Sequence, residues 1–376
     1  MKSKYIILVL SLLILTSFSP IIIANTATNQ PVINPIDDIL NPYLLRAITL
    51  RSNFLSKLRE PFDEFIFNPQ EMILADDAYH GSDGLHFTEW WYFDASFENG
   101  YSTQMSVRIL SAFGQGIVIA RLDLYYQGEL VQHTQKRYIM QQFIASTLKP
   151  DVVLNGHHVI TGSIDPITHD WVYNISFNHG LLSANLEFTG ITQPWKGQLM
   201  GGDWWGVALP RANVTGEIVY LNETIQCKGY GYHDHNWDVT LAAGLNFGWI
   251  LGKIHSEQYT MTWSTIYKTR FWGNPILVLN INYAEHINIH PDNIKFDAKE
   301  INYRNGRFIP HSFTITAQQD DITIEINMDV LEVHHVRIYA ILNYWRYHIH
   351  CSGTIQIGDS IDTIDDTFIA ELIRFR

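Results

Sequence analysis

The feature that most constrains this chain is an alternation of apolar and polar residues in short runs, from about Asp76 to the C-terminus. Such a period of two is typical of strands that bury one face. In DITIEINMDV the apolar positions are Ile322, Ile324, Ile326 and Met328. GIVIARLDLYYQG, PILVLNINYAE, HSFTITAQ and GTIQIGD alternate in a similar way, and Gly, Pro, Asn and Asp mark turns between them. We therefore predict an all-β fold, with two sandwiches or barrels joined near residue 240.

Composition narrows the classes of function. Aromatic residues make up 13% of the chain and charged residues only 17%, which favours strands and ring-lined cavities over a solvated helical bundle. The formal net charge of −13 argues against nucleic acid as a partner. The two cysteines, Cys227 and Cys351, form either one disulfide or two free thiols, and they cannot build a cysteine-based zinc site.

Residues 1–27 are typical of an export signal. Lys2 and Lys4 precede the apolar run YIILVLSLLILTSF. The stretch from Tyr5 to Ala24 is also near the length of a bilayer span, so it is either a cleaved signal peptide or a membrane anchor. We expect an extracytoplasmic protein, which fits the glycosylation sequons at Asn174, Asn213 and Asn222.

Residues 28–75 are predicted to form a linker and a short amphipathic helix. TATNQPVINP is typical of a linker, whereas PYLLRAITLRSNFLSKLRE places apolar residues near helical spacing with basic residues among them. This helix either lies on a membrane surface or packs against the folded body. The rest of the chain is predicted to form two β domains, 76–239 and 240–376.

The segment KGYGYHDHNWD concentrates chemically active side chains. If it is a strand, its side chains alternate between faces. One face then carries Tyr230, Tyr232, Asp234 and Asn236, and the other carries His233, His235 and Trp237. Three interpretations remain open. The Tyr–Asp–Asn face performs acid–base chemistry, the histidines only hold the strand in place, or they bind a metal with a third ligand from His334, His335, His348 or His350.

A second cluster, LHFTEWWYFDA, places Glu89 on one strand face with Phe87, Trp91 and Phe93, and Trp90 and Tyr92 on the other. Glu89 is either a desolvated acid or a core carboxylate paired with an arginine such as Arg108. GGDWWGVALPR adds a third aromatic group, Trp204 and Trp205. These segments predict one large apolar cavity, or else plugs for the ends of two barrels.

EWWYFD followed by GYGYHDHNW resembles the acyclic carotenoid hydratases (hydroxyneurosporene synthases) and their AttH-type, lipocalin-like relatives, which include fungal Diels–Alderase-type cyclases. The resemblance extends from about Asp76 to the C-terminus. It implies two lipocalin-like β domains, a ligand cavity at or near their interface, and no metal or organic cofactor. It also implies that Asp234, in a Tyr-x-Asp-x-Asn motif, is the proton donor. Two positions depart from the pattern. Asp238 stands where a glycine is expected, and the tryptophan-containing segment before Pro210 lacks an expected histidine, with Asp203 as the nearest residue to that position.

Hydration of an isolated alkene requires an acid that is strong yet still protonated near neutral pH, and a carboxylic acid meets this requirement only when it is desolvated. We therefore expect a cofactor-independent hydratase, or a related cyclase, acting on an isoprenoid or lipid-like substrate. The alternative is a non-catalytic carrier that uses the same cavity. The candidate catalytic residues are Asp234, Tyr232, Asn236 and Glu89. The candidate substrate-binding residues are Trp90, Trp91, Tyr92, Trp204, Trp205 and Trp237.

Overall fold

The computed structural model describes residues 66–81, 86–112, 115–199, 201–239, 247–268, 273–282, 284–338 and 342–374. The signal or anchor predicted at 1–27 and the amphipathic helix predicted between residues 42 and 60 lie outside these residues. The domain boundary predicted between residues 239 and 240 adjoins the segment 240–246, which also lies outside them. Within the described ranges, no helix is long and apolar enough to cross a membrane.

The N-terminal half of the described chain forms an antiparallel sheet of thirteen strands. The strands are β1 (Gln70–Glu71), β2 (His86–Phe97), β3 (Tyr101–Ala112), β4 (Gln115–Tyr126), β5 (Glu129–Ile139), β6 (Phe143–Ala145), β7 (Asp151–Leu154), β8 (His157–Ile164), β9 (Trp171–Asn178), β10 (Leu182–Gly190), β11 (Trp195–Gln198), β12 (Trp204–Tyr220) and β13 (Glu223–Val239). The main path of this first sheet runs β5-β4-β3-β2-β13-β12-β10-β9-β8-β7-β6, and β1 pairs with β11, which pairs with β12.

The C-terminal half forms a second antiparallel sheet, of nine strands, and a separate hairpin. The strands are β14 (Gly248–His255), β15 (Tyr259–Tyr267), β16 (Gly273–Ile281), β17 (Glu285–Ile289), β18 (Ile294–Lys299), β19 (Asn302–Arg304), β20 (Arg307–Ile309), β21 (Ser312–Gln319), β22 (Ile322–Ile338), β23 (Leu342–Ile357) and β24 (Ser360–Arg374). The order in the second sheet is β17-β16-β15-β14-β24-β23-β22-β21-β18, and β19 pairs with β20 in the hairpin. The helices in the described ranges are short 3-10 turns at Leu74–Asp77, Met140–Gln142 and Pro291–Asn293.

Each sheet curls into a nearly closed, barrel-like layer around its own apolar core. The first core includes Trp91, Phe93 and Val107, and the second includes Trp263 and Trp345. The all-β prediction is thus confirmed. The physical cause is that the alternation of side chains along each strand supplies one apolar face per sheet.

The two cysteines lie in different cores. Cys227 packs in the first core and Cys351 in the second, and both are free thiols. Of the two alternatives that the sequence left open, the free thiols are confirmed. Burial raises the pKa of Cys227 to about 12, so this thiol stays protonated and unreactive.

A third apolar cluster lies where the two sheets meet. From the first sheet it takes the faces of β2, β12 and β13 that point away from the first core, including Tyr92, Trp205 and Tyr232. From the second sheet it takes Leu251 on β14 and Ile266 on β15. The side chains opposite the first core are therefore buried against a second sheet. This contact between the sheets positions the candidate site.

Candidate functional site

Strand β13 carries the motif residues between β12 and β2. Asp234 is paired with Tyr92 on β2 and with Val207 on β12, and Asn236 is paired with Trp90. Because directly opposed residues of antiparallel strands share a face, these side chains point together toward the second sheet. His233 and His235 point the other way, into the first sheet.

Asp234 is 3% exposed and is held by three donors. Its Oδ2 accepts hydrogen bonds from the hydroxyl of Tyr232 at 2.8 Å and from the indole Nε1 of Trp205 at 3.3 Å. Its Oδ1 accepts from the amide Nδ2 of Asn236 at 3.1 Å. Burial raises the pKa of Asp234 to about 6, although the hydrogen bond from Tyr232 opposes that rise. The carboxyl is therefore partly protonated near neutral pH.

Asp234 lines a cavity of about 260 Å³ between the two sheets, slightly below the usual volume range of ligand pockets. Five predicted residues line it: Trp90, Tyr92, Trp205, Asp234 and Asn236. Tyr232 lies behind them, 1% exposed, and reaches the cavity through its bond to Asp234. The sequence predicted an apolar cavity, but the lining combines apolar side chains with charged ones. The apolar members include Leu199, Trp249, Leu251 and Ile266, and the charged ones include Arg108, Arg137, Asp203, Lys268 and Glu371.

A second carboxyl group, Glu371 on β24, also lines the cavity. Its Oε1 accepts hydrogen bonds from the hydroxyls of Tyr92 and Tyr344. The Tyr92 hydroxyl also lies 2.7 Å from Asp94 Oδ2, and Asp94 forms a buried ion pair with Lys253 of β14. Tyr92 has a single proton for two carboxylates, so it donates to one of them at a time. Two of the carboxyl groups that line the cavity, Asp234 and Glu371, are thus each held by at least one tyrosine hydroxyl.

Comparison with known proteins addresses the fold. The chain matches no protein-family model and no curated protein. It is similar to the crystal structure of an AttH-type protein from Nitrosomonas europaea, with a TM-score of 0.61 at 15% identity, covering 81% of this chain and 96% of that one. The chain has the AttH-type, lipocalin-like fold. CghA in complex with Sch210972 is also similar, with a TM-score of 0.54 at 9% identity, covering 77% of this chain and 88% of that one.

A third solved structure is kievitone hydratase from Nectria haematococca, with a TM-score of 0.48 at 11% identity, covering 79% of this chain and 93% of that one. At these identities, the similarity establishes the fold alone.

Glu89 lies outside the cavity, and its predicted place at the site is corrected. Strand alternation puts it on the core face of β2, where Oε1 lies 3.0 Å from Nε2 of His235. The backbone amides of His80 and Gly81 donate to its two oxygens, each at 3.0 Å. Its side-chain partner is therefore a histidine rather than Arg108, and this carboxylate holds β2, β13 and the segment after the first 3-10 turn together.

Three of the predicted substrate-binding tryptophans also lie away from the cavity. Trp91 stacks on His235 with ring centroids 4.5 Å apart and is fully buried in the first core. Trp237 is stacked between His80 at 4.4 Å and Trp204 at 5.7 Å. These rings pack on the core side of β13 or cover it, so they support the strand and do not line the cavity.

The histidines of the motif belong to a buried ionic cluster. Nε2 of His233 lies 3.0 Å from Oδ2 of Asp77, and Nδ1 of His235 lies 3.3 Å from Oδ1 of the same carboxylate. Burial lowers the pKa of His235, but hydrogen bonds to Asp77 and Glu89 outweigh it and raise the pKa to about 9. In the part of the chain that the structure describes, no group of three or more His, Cys, Asp or Glu residues is arranged to hold a metal ion. The geometry favours the interpretation that these histidines are structural.

Sequence reasoning missed Glu371 and its neighbour Arg346. Both lie in apolar runs near the end of the chain, AELIRFR and YWRYHIHC, and they pair across β23 and β24. Arg346 is fully buried, with Nη1 3.9 Å from Glu371 Oε1. A charge inside an otherwise apolar strand is rare unless it is paired or functional, and that pattern could have identified both residues.

Proposed function

We propose that this protein is a hydratase-type enzyme, or a related cyclase, that protonates a carbon–carbon double bond of an isoprenoid or other lipid-like substrate in the cavity between the two sheets. No cofactor takes part in the proposed reaction. The observation that carries the proposal is the Asp234 carboxyl, which is buried at the cavity wall with a pKa raised to about 6. A general acid works best with a pKa near the operating pH.

In the first proposed step, protonated Asp234 transfers its proton to one carbon of the double bond. The π electron pair forms the new C–H bond, and the other carbon becomes a cation. The rings of Trp90, Trp205 and Trp249 line the same cavity, and each stabilises a nearby cation by roughly 0.5–2 kcal/mol. The new Asp234 carboxylate keeps the hydrogen bonds from Tyr232 and Asn236, so its charge does not remain unpaired.

In the second step, the oxygen of a water molecule attacks the cation and loses a proton to Glu371. Glu371 is suited to this role because it lines the same cavity and its carboxylate is held by Tyr92 and Tyr344. The balance is alkene plus water to alcohol. The enzyme is restored when Glu371 releases its proton to solvent and Asp234 takes one up. In a cyclase, a second double bond of the substrate replaces water as the nucleophile, and the new cation that this leaves loses a proton from an adjacent carbon to Glu371.

Isotope labelling tests this proposal directly. The purified chain is incubated with a panel of unsaturated isoprenoids in deuterium oxide, and separately in ¹⁸O-labelled water, and the products are analysed by mass spectrometry. We expect one deuterium on carbon and, for hydration, one ¹⁸O in a new hydroxyl. A panel member that binds but gains neither label in any assay would make the protein a carrier instead.

The dependence of activity on pH follows from the pKa of Asp234. Because the protonated form is the donor, kcat/KM is expected to be highest below about pH 6 and to fall tenfold per pH unit above it. Among the nearby charged groups, Glu371 raises this pKa, whereas His233 on the opposite face of β13 and Lys253 lower it. Binding of a neutral fluorescent probe over the same range is the control. A rate that increases through pH 6 would assign Asp234 the role of a base.

A further inference from the structure

The hairpin β19–β20 pairs with neither of the two large sheets. Tyr303 is directly opposite Phe308, and their rings meet edge to face with centroids 5.1 Å apart. Asn305 and Gly306 form the turn with φ values of 53° and 81°, the left-handed conformation that a tight two-residue hairpin turn requires. The hairpin is therefore a compact unit with two faces of its own.

One face of the hairpin is apolar and points away from the second barrel. Ile309, which alternates with Phe308 along β20, is fully buried in the second core, so its face is turned toward the barrel. Tyr303 and Phe308 project from the other face and are 67% and 43% exposed. Ile301, directly before β19, is also 43% exposed. A group of large exposed apolar side chains is typical of a surface that binds a protein or a membrane.

Two arginines lie next to the turn of the same hairpin. Arg304 is directly opposite Arg307, and like charges in this arrangement repel each other. Within the ranges that the structure describes, neither forms an ion pair with a carboxylate. Residues 299–311 carry three cationic side chains and one carboxylate, although the whole chain has a formal net charge of −13. The hairpin is thus a positive and apolar element on an acidic protein.

These properties favour a lipid surface over a protein partner. Two partly exposed aromatic side chains offer on the order of 200 Å² for burial, far less than the ~800 Å² that each partner contributes to a stable protein interface. A lipid surface does not need a large area, because insertion of a few rings at the headgroup level and attraction of cations to anionic lipids act together. Tyrosine is enriched at that level, and arginine side chains extend toward the phosphates.

We propose that the β19–β20 hairpin docks this protein on an anionic lipid surface. Ile301, Tyr303 and Phe308 enter the boundary between head groups and acyl chains, and Arg304 and Arg307 contact lipid phosphates. The negative charge of the rest of the chain then orients the protein, because it disfavours approach by its other surfaces. This docking is separate from the function proposed above, since it requires no chemistry in the cavity.

Spin labels measure whether the hairpin enters the lipid. Ile301→Cys in the full chain is labelled with a nitroxide, because both native thiols are buried, and is mixed with phosphatidylcholine vesicles that contain about 30% phosphatidylglycerol. We expect the label to become accessible to oxygen and protected from a water-soluble nickel complex. Ile164→Cys is the matched control, because Ile164 is also 43% exposed but lies on β8 of the first sheet, and its label should stay accessible to nickel. A tether elsewhere in the chain does not affect this comparison, because both variants carry it.

Variants in the labelled chain identify the contacts. Arg304→Gln and Arg307→Gln are each expected to raise the lipid concentration at half-maximal protection about fivefold, the effect of removing one cation from an anionic surface. Tyr303→Ser should also raise it, because it removes an inserting ring. Lys149→Gln removes an exposed cation from the β6–β7 connection and should leave it unchanged. Thermal unfolding checks that each variant retains the fold.

An Ile301 label that stays accessible to nickel on anionic vesicles overturns the proposal, and so does equal protection of the Ile301 and Ile164 labels. Equal insertion into vesicles of phosphatidylcholine alone, or no effect of either arginine variant, also overturns it. Immobilisation of the Ile301 label without lipid, increasing with protein concentration, would instead make a second copy of the chain the occupant. Turnover enters none of these measurements, so the docking and the hydratase can each fail without the other.

Discussion

Replacing Asp234 with asparagine is expected to reduce turnover by roughly 10²-fold or more, the scale on which enzymes depend on a general acid. Asparagine is nearly isosteric and can still accept hydrogen bonds from Tyr232 and Trp205 through its side-chain oxygen, but it has no proton to transfer. Binding of a hydrophobic probe should therefore stay close to wild type. The measurement is steady-state kinetics beside equilibrium binding on the same preparations.

The same variant is expected to be at least as stable as wild type above pH 6. The folded-state pKa of Asp234 is raised from 3.8 to about 6, so stability from this group is greatest at low pH and decreases as pH rises through that range. Well above pH 6 the buried ionised carboxylate costs roughly 3 kcal/mol, which the amide avoids. Urea unfolding at pH 5 and pH 8 measures this difference.

Two other carboxyl groups serve as comparisons. Asp203 lines the same cavity with a pKa raised by burial, but its place at the end nearest Lys268 gives it no part in the proposed steps, so Asp203→Asn should retain turnover within a few-fold. Glu89→Gln should not abolish proton transfer, because Glu89 lies on the core face of β2. If Asp234→Asn retains full turnover while Glu89→Gln loses it, the acid has been assigned to the wrong carboxyl.

Replacing Lys253 with methionine is expected to lower the free energy of unfolding by roughly 3–5 kcal/mol. Lys253 pairs with Asp94 between the sheets, where their side chains are 10% and 3% exposed. Removing the ammonium leaves the Asp94 carboxylate buried beside Tyr92 without its cation. Urea denaturation at pH 7 measures the loss.

Lys228→Met is the matched control, because Lys228 also pairs with a carboxylate, Glu98, but both side chains are largely exposed. Water replaces such a partner easily, so little change is expected. The double variant Lys253→Met/Asp94→Asn should recover much of the lost stability, since neither charge then remains buried alone. A loss no larger for Lys253→Met than for the control would mean that water reaches Asp94 in the folded protein.

The sequence predicted the fold well because alternation along a strand is a local property. It also separated the two faces of β13 correctly, with Tyr232, Asp234 and Asn236 on one and His233 and His235 on the other. Alternation does not reveal which face points to a cavity. That limit explains the misplaced prediction for Glu89. The sequence assigned this residue to the correct face of its strand, but that face packs toward the first core and not toward the cavity.

The rest of the site depends on contacts that a local pattern does not contain. Tyr92 and Glu371 are 279 residues apart in sequence and meet only because the two sheets pack face to face. Lys253 reaches Asp94 across the same contact. The local sequence of each of these strands is that of an ordinary barrel wall. Charged residues within apolar runs indicate that something unusual is buried there, but the sequence does not identify their partners.

Strands β2 to β4 present cavity side chains at every second position, and the intervening residues fill the first core. Residues that determine which ligand binds therefore alternate, along the same strands, with residues that determine how the barrel folds. A mutant library restricted to cavity-facing positions, such as Gln104, Ser106, Ile119 and Gln135, can change which ligand is bound without altering how the barrel closes. Divergence among chains of this architecture can follow the same route, with new chemistry acquired on one face while the other preserves the scaffold.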